Sequence, residues 1–317
     1  VEPYDYSIEA EDEYFQSLIV METNLKKYTD DLLSSNQELT RDILLDYLKR
    51  QLAFDGYHYY GTSLGSYLGY QAQLPLVLAE YRFDDLNDVN DYFGYLRTAY
   101  DTFANIIAFE KEKIALDMGL TNYIIDKVIE QCNNFITVEE NYLIPVFNDK
   151  IDAMPKVSVS KKKELKAEHE KLINEEFVQA YNYLRNQLNL MRNTATHNGA
   201  LANFPMGQKY YQILFQEATG SDMTIPEVKK YLQDKIKSLI LSSNIGYDSL
   251  YKTNLMTTKE LDDLIPYFIN EMEDNFPKLN VEVNYEIKDI HQTMQENSSP
   301  AMYFISPIDE NVDEVIY

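Results

Sequence analysis

The chain has 317 residues, with 52 acidic side chains against 28 basic ones and a formal charge of −24. That field excludes nucleic acid and anionic lipid surfaces as partners, and no run approaches the roughly 18–20 apolar residues of a membrane span. A single cysteine, Cys132, excludes an internal disulfide; set in a helical pattern, it reads as a small buried apolar residue. The 27 tyrosines and absent tryptophan point to half-buried helix faces and groove walls, because Tyr joins an apolar ring to a polar tip. The chain begins at Val1 rather than Met, so its N-terminus reads as trimmed, which leaves room for an export signal ahead of it.

In chain order, the acidic and aromatic stretch Val1 to Glu11 reads as irregular. A first helix is expected from Glu13 to Leu33. Ser35-Asn36-Gln37-Glu38 reads as a capping box, with Ser35 accepting from the backbone and Glu38 reaching back. It opens a helix carrying Leu39, Ile43, Leu44, Tyr47, Leu48 and Leu52. Asp55 to Gly69 holds four glycines and four tyrosines and reads as a loop, either tucked onto the core or forming a cleft wall. His58 stands in it without a ligand partner at metal spacing.

Helix returns from Gln71 to Tyr81, with Pro75 assigned to a first turn. From Asp88 an amphipathic stripe runs through Val89, Tyr92, Phe93, Leu96, Ala99, Tyr100, Phe103, Ile106 and Ile107. Helices follow over Thr121–Asn134 and Glu139–Met154, the second expected to kink at Pro145. Ser160 to Met191 reads as one long helix. It contains His169-Glu170, but the position one turn on, where a helical zinc motif needs its second histidine, is Ile173. That pattern favours core over metal.

Gly199 ends this region and leads into a Gly- and Pro-punctuated loop, then a helix from Gly207 to Ala218 stopped at Thr219-Gly220. Thr224-Ile225-Pro226-Glu227 starts a helix running to Ser242, and Thr257-Thr258-Lys259-Glu260 caps another that ends before Pro277. Val281, Val283, Tyr285 and Ile287 then alternate with polar residues, a strand signal. Ala301 to Ser306 is a second strand and Glu314 to Tyr317 the start of a third, at which the chain reads as cut. The fold class expected is mainly α: a bundle-like array of helices in one large domain, with a small β-sheet or hairpin over about 281–317.

Three stretches carry a family resemblance. Leu64 to Tyr81 contains Gly65, Gly69, Gln71-Ala72-Gln73-Leu74-Pro75 and Leu78-Ala79-Glu80-Tyr81. Asp88 to Cys132 contains Phe109-Glu110-Lys111-Glu112-Lys113 and Val128-Ile129-Glu130-Gln131-Cys132. Leu201 to Glu227 contains Pro205-x-Gly207, Tyr210-Tyr211 and Thr219-Gly220-Ser221-Asp222. Together they resemble the bacterial domain of unknown function family number 885, many of whose members look like exported lipoproteins of Gram-positive bacteria. The match covers nearly the whole chain.

The resemblance implies a helical zinc metallopeptidase of the carboxypeptidase-like kind, a hydrolase, extracellular or at the cell surface. Its diagnostic His-Glu-x-x-Pro-Gly-His motif follows a segment like Ser299 to Pro307 and is absent here. No catalytic residue and no metal ligand can be assigned to this chain. Zinc is expected only in the complete parent, and membrane attachment only through a lost N-terminal lipid anchor. The expected partners are a peptide substrate and the missing C-terminal portion. The chain is then scaffold and partial substrate groove, inactive by itself. Ala301 to Ser306 is the candidate sheet edge, with Tyr303 beside it, and His197, Asn203, Tyr210 and Tyr211 are candidate polar contacts. The alternative is a non-catalytic extracytoplasmic helical protein that binds peptides or glycans.

Overall fold

The computed structural model describes residues 1–136, 141–242, 265–268, 276, 284–288, 303–304 and 314–316. They divide between two compact units, one containing Val1–Asp222 and one beginning at Met223.

Among the described residues, the regular elements of the first unit are all helical. Helix α1 spans Ile8–Leu25, earlier than its expected span, because Ser7 caps it by accepting from the Ala10 N–H at 3.2 Å. Glu9 and Glu11 then suit its positive end. A short 3₁₀ turn over Asp30–Leu32 replaces the expected continuation to Leu33. Helix α2 spans Ser35–Leu52. Its capping box uses Ser34 and Gln37 rather than Ser35 and Glu38: adjacent serines offer two registers, and the upstream one closes the reciprocal bonds. Phe15 and Leu18 of α1 bury against Leu48 of α2 in a satellite cluster.

The main core is built on α4, Leu86–Ala115, capped by Asp85 and Asp88. Val89, Tyr92, Phe93, Leu96, Ala99, Phe103, Ile106 and Ile107 are buried, as the stripe requires; Tyr100 is exposed. Around α4 lie α3 (Tyr70–Glu80), α5 (Asn122–Ile136) and α6 (Leu143–Ala153). Pro145 falls in the first turn of α6, where no helical N–H is lost, so it starts the helix instead of kinking it. Pro75 is the reverse case, lying inside α3 rather than in its first turn.

The expected long helix is interrupted. Helix α7 (Val159–Leu172) and helix α8 (Val178–Leu190) are joined by a π-helical turn over Ile173–Phe177. The wider turn shifts the helical register, and Leu165, Leu172, Ile173, Phe177, Tyr181, Leu184 and Leu188 all reach the core. Helix α9 spans Gly207–Thr219 and ends on Gly220 at φ 64°, the left-handed cap that glycine adopts without cost.

The second unit contains α10, Ile225–Ser242, with Thr224 and Glu227 paired at its start. Three strands follow: β1 (Tyr285–Ile287), β2 (Tyr303–Phe304) and β3 (Glu314–Ile316). They form one sheet in the order β1-β3-β2, with β1 and β3 parallel and β2 antiparallel to β3. The protein is mainly helical with a small sheet in the expected place. The expected cap at Thr257 to Glu260 and the rest of Ala301 to Ser306 lie outside the described residues. Among the described residues no helix is long and apolar enough to cross a membrane.

Candidate functional site

A cleft of about 720 Å³ opens in the first unit. One wall is the N-terminal segment, with Tyr4 and Tyr6. That segment is held on α4: the Tyr4 N–H donates to Thr102 Oγ1 at 3.3 Å, and the Asn105 amide donates to the Tyr4 carbonyl at 2.8 Å. The opposite wall comes from the Gly- and Tyr-rich loop (Tyr57, His58, Gly61, Thr62, Ser63), from Phe54 after α2 and from Tyr210 of α9. Phe109 of α4 also lines it. The rings support each other. Tyr4 and Tyr6 lie 4.6 Å apart, His58 stands edge-on to Phe109 at 5.1 Å, and Tyr210 packs against Tyr60 at 5.0 Å and Tyr57 at 5.5 Å.

One hydrogen-bonded pair stands in the cleft lining. His58 Nδ1 lies 2.9 Å from Glu11 Oε2, as when Nδ1–H donates to the carboxylate. His58 Nε2 is then a buried acceptor with no hydrogen-bond partner among the described residues. Burial pushes the Glu11 carboxyl up from its ordinary value, and the His58 ring partly offsets this. Burial also raises the hydroxyl pKa of Tyr6 and of Tyr210. Beneath the loop, Glu110 and Lys113 form a buried ion pair at 3.3 Å. Lys113 donates to the Gly61 carbonyl at 2.9 Å and Ser63 Oγ donates to Glu110 at 3.4 Å. This pair anchors the cleft floor.

Tyr210 is buried in the cleft wall, whereas its neighbour Tyr211 is 52 % exposed on another face of α9. His197 and Asn203 lie in the loop before α9. The Gly199 N–H donates to His197 Nδ1 at 3.0 Å, and the Asn203 amide donates to Asn198 Oδ1 at 2.6 Å. The structure joins His197 to Tyr210 through rings: His197 to Phe204 at 5.0 Å, Phe204 to Tyr60 at 6.2 Å, and Tyr60 to Tyr210. Tyr303 belongs to the second unit, half exposed on β2. The Glu11–His58 pair and the Tyr4–Tyr6 wall escape sequence reasoning because distant segments build them. The one signal was the density of Gly and Tyr around His58.

His169 is a core residue. It is fully buried, stacked on Phe147 at 4.0 Å, with Tyr92 Oη 3.0 Å from its Nε2. Burial pushes its imidazole down to about 3, keeping it neutral. Cys132 is buried, its thiol pushed up to about 12 by burial, and so inert. Among the described residues no group of three His, Cys, Asp or Glu could hold a metal ion. They do not fit a catalytic zinc, which needs about three protein ligands, and no step through a metal follows from them.

A family described as "Bacterial protein of unknown function (DUF885)" matches residues 3–240. The chain belongs to the DUF885 family. No curated protein matches it. Among solved structures, the DUF885 chain resembles "the putative lipoprotein from Colwellia psychrerythraea", with a TM-score of 0.78 and 13 % identity. The likeness covers 99 % of this chain and 60 % of the other, so this chain spans about three fifths of that protein. At that identity the likeness shows a shared fold.

Proposed function

We propose that this chain is the helical scaffold and part of the peptide groove of an exported, lipid-anchored zinc metallopeptidase of the carboxypeptidase-like kind. It has no catalysis of its own. The observation that carries the reading is the aromatic cleft, into which Tyr210 and the Gly- and Tyr-rich loop bring family-like segments distant in the chain. Its volume and ring lining suit an extended peptide, held by faces of Tyr and by a few polar tips. Zinc and its ligands belong, in this reading, to a further portion of the same protein. The 60 % coverage of the longer relative supports that division, and that relative's description supports a lipid anchor.

A second reading is a non-catalytic helical protein of the cell exterior that binds peptides or glycans. It is favoured by the state of His58: Nδ1 is engaged by Glu11, and no nucleophile touches Nε2 among the described residues. Zinc content and chelator-sensitive peptide hydrolysis separate the two. They are to be measured on the parent protein expressed through its natural C-terminus and on residues 1–317. About one zinc per parent chain and none in the shorter chain supports the peptidase reading. No zinc in either, with peptide binding retained, overturns it in favour of binding alone.

A further inference from the structure

The charge of the cleft is one-sided. Glu2, Asp5 and Glu11 line it, and its lining contains no Lys or Arg. Glu11 is the best placed of the three. Its side chain is 28 % exposed, one oxygen is held by His58, and its carboxylate makes no other hydrogen bond or ion pair among the described residues. The rings of Tyr4, Tyr6, Tyr57 and Tyr210 line the same cleft, and aromatic faces carry negative potential and attract cations. Behind the lining, Ser63 Oγ donates to the buried Glu110, which is already paired with Lys113.

An anionic ligand would meet repulsion from three carboxylates here, and the ammonium behind the floor, Lys113, is buried and already held by Glu110 and the Gly61 carbonyl. A neutral one would leave the Glu11 carboxylate desolvated without compensation, which is costly. A compact ammonium on an alkyl stem satisfies both walls, its stem along the rings and its head at Glu11.

We infer that this cleft seats an ammonium group of an extended peptide, between the tyrosine rings and Glu11. The inference rests on the peptide-groove reading above and names the class of peptide. The ammonium can be a lysine side chain or the N-terminus, and the test separates these.

Binding to residues 1–317 is measured by calorimetry for two pairs of peptides, four in all. One peptide is capped at both ends with a single lysine, the second is the same peptide with acetyl-lysine, the third lacks lysine but has a free N-terminus, and the fourth is its acetylated form. The lysine peptide is expected to bind about tenfold tighter than its acetyl-lysine counterpart, with Glu11→Gln erasing most of that ratio. If instead the free N-terminus binds about tenfold tighter than the acetylated form, the cation is the terminal one and the inference stands. Equal binding of charged and neutral members in both comparisons overturns the inference and leaves the peptide groove intact. No binding by any peptide overturns both. The comparisons use the unaltered chain, so the folding of a variant does not decide them.

Discussion

The hydroxyl of Tyr181 donates to the backbone carbonyl of Gln71 at 2.7 Å. That carbonyl lies four residues before Pro75, inside α3. A helical carbonyl at this position normally accepts from the N–H that proline lacks. Tyr181, buried on α8, supplies the missing donor and ties the two helices at the same point.

Removing that hydroxyl should therefore be costly. Tyr181→Phe is expected to destabilise the chain by about 1–3 kcal/mol, the range for leaving a buried acceptor unsatisfied. Pro75→Ala restores an N–H to the helix and should shrink the cost of Tyr181→Phe. Denaturant unfolding of the two single variants and the double variant measures the coupling. Additive costs would mean that Tyr181 holds α3 by packing alone.

Gly207 is a position where space, not flexibility, demands glycine. A Cβ there would lie 1.5 Å from the Leu201 carbonyl oxygen, which is backbone. Gly207→Ala should cost about 1–3 kcal/mol, as overpacking does, and should displace the loop that leads into Tyr210. Gly61→Ala is the control, since its Cβ meets nothing within 4 Å. Thermal melts of the pair should separate clearly, with Gly61→Ala close to the parent chain.

The helical part of this fold is legible because burial on α4 and α8 repeats at helical spacing, so Val89 to Ile107 and Phe177 to Leu188 declare their faces. The π turn over Ile173–Phe177 is not legible. Both registers bury apolar residues, and the choice depends on what α4 and α6 present to them. The capping shift from Ser35 to Ser34 has the same cause at smaller scale: two adjacent serines, one geometry. The cleft is harder still. Glu11 and His58 meet only because α1 and the Gly- and Tyr-rich loop fold onto α4, and neither residue carries a local pattern. Tyr210 is recoverable from its helix; which of Tyr210 and Tyr211 faces inward follows only once Phe54, Tyr57 and Tyr60 are placed.

Lys113 and Glu110 are nearly inaccessible, at 4 % and 1 % side-chain exposure. Burial raises the Glu110 carboxyl pKa, with Lys113 opposing the shift. Breaking such a pair strands a charge, so Lys113→Met should cost about 3–5 kcal/mol. Glu110→Gln combined with Lys113→Met removes both charges and should recover a large part of that loss. Urea unfolding of single and double variants tests it. A double variant no more stable than Lys113→Met would show that the Lys113 bond to Gly61, not the pair, holds the floor.

His169 gives a pH dependence of definite sign. Its folded pKa is depressed to about 3 by burial, below the ordinary histidine value near 6.5. The unfolded chain therefore takes up the proton first. The stability that a neutral His169 contributes is complete above about pH 6.5 and is lost as pH falls toward 3, with a slope of at most about 1.4 kcal/mol per pH unit. Glu110 acts in the opposite sense, because a raised carboxyl favours the folded state as pH falls. Comparing variants isolates the histidine. His169→Gln keeps a polar partner for Tyr92 and does not titrate. Its melting temperature should fall less between pH 7 and pH 4 than that of the parent chain, and parallel curves would refute the assignment.

Tyr210 separates recognition from packing. Its ring is 8 % exposed, packed by Phe54, Tyr57 and Tyr60, and its hydroxyl makes no hydrogen bond among the described residues. Truncation to alanine would open a hole and cost about 3–5 kcal/mol, confusing binding with folding. Tyr210→Phe preserves the packing and removes only the polar tip. It should leave the melting temperature nearly unchanged and weaken peptide binding by roughly three- to tenfold, the value of one hydrogen bond. Tyr211→Phe, on the exposed side of α9, should change neither. Equal effects of the two substitutions on affinity would place the peptide outside this cleft.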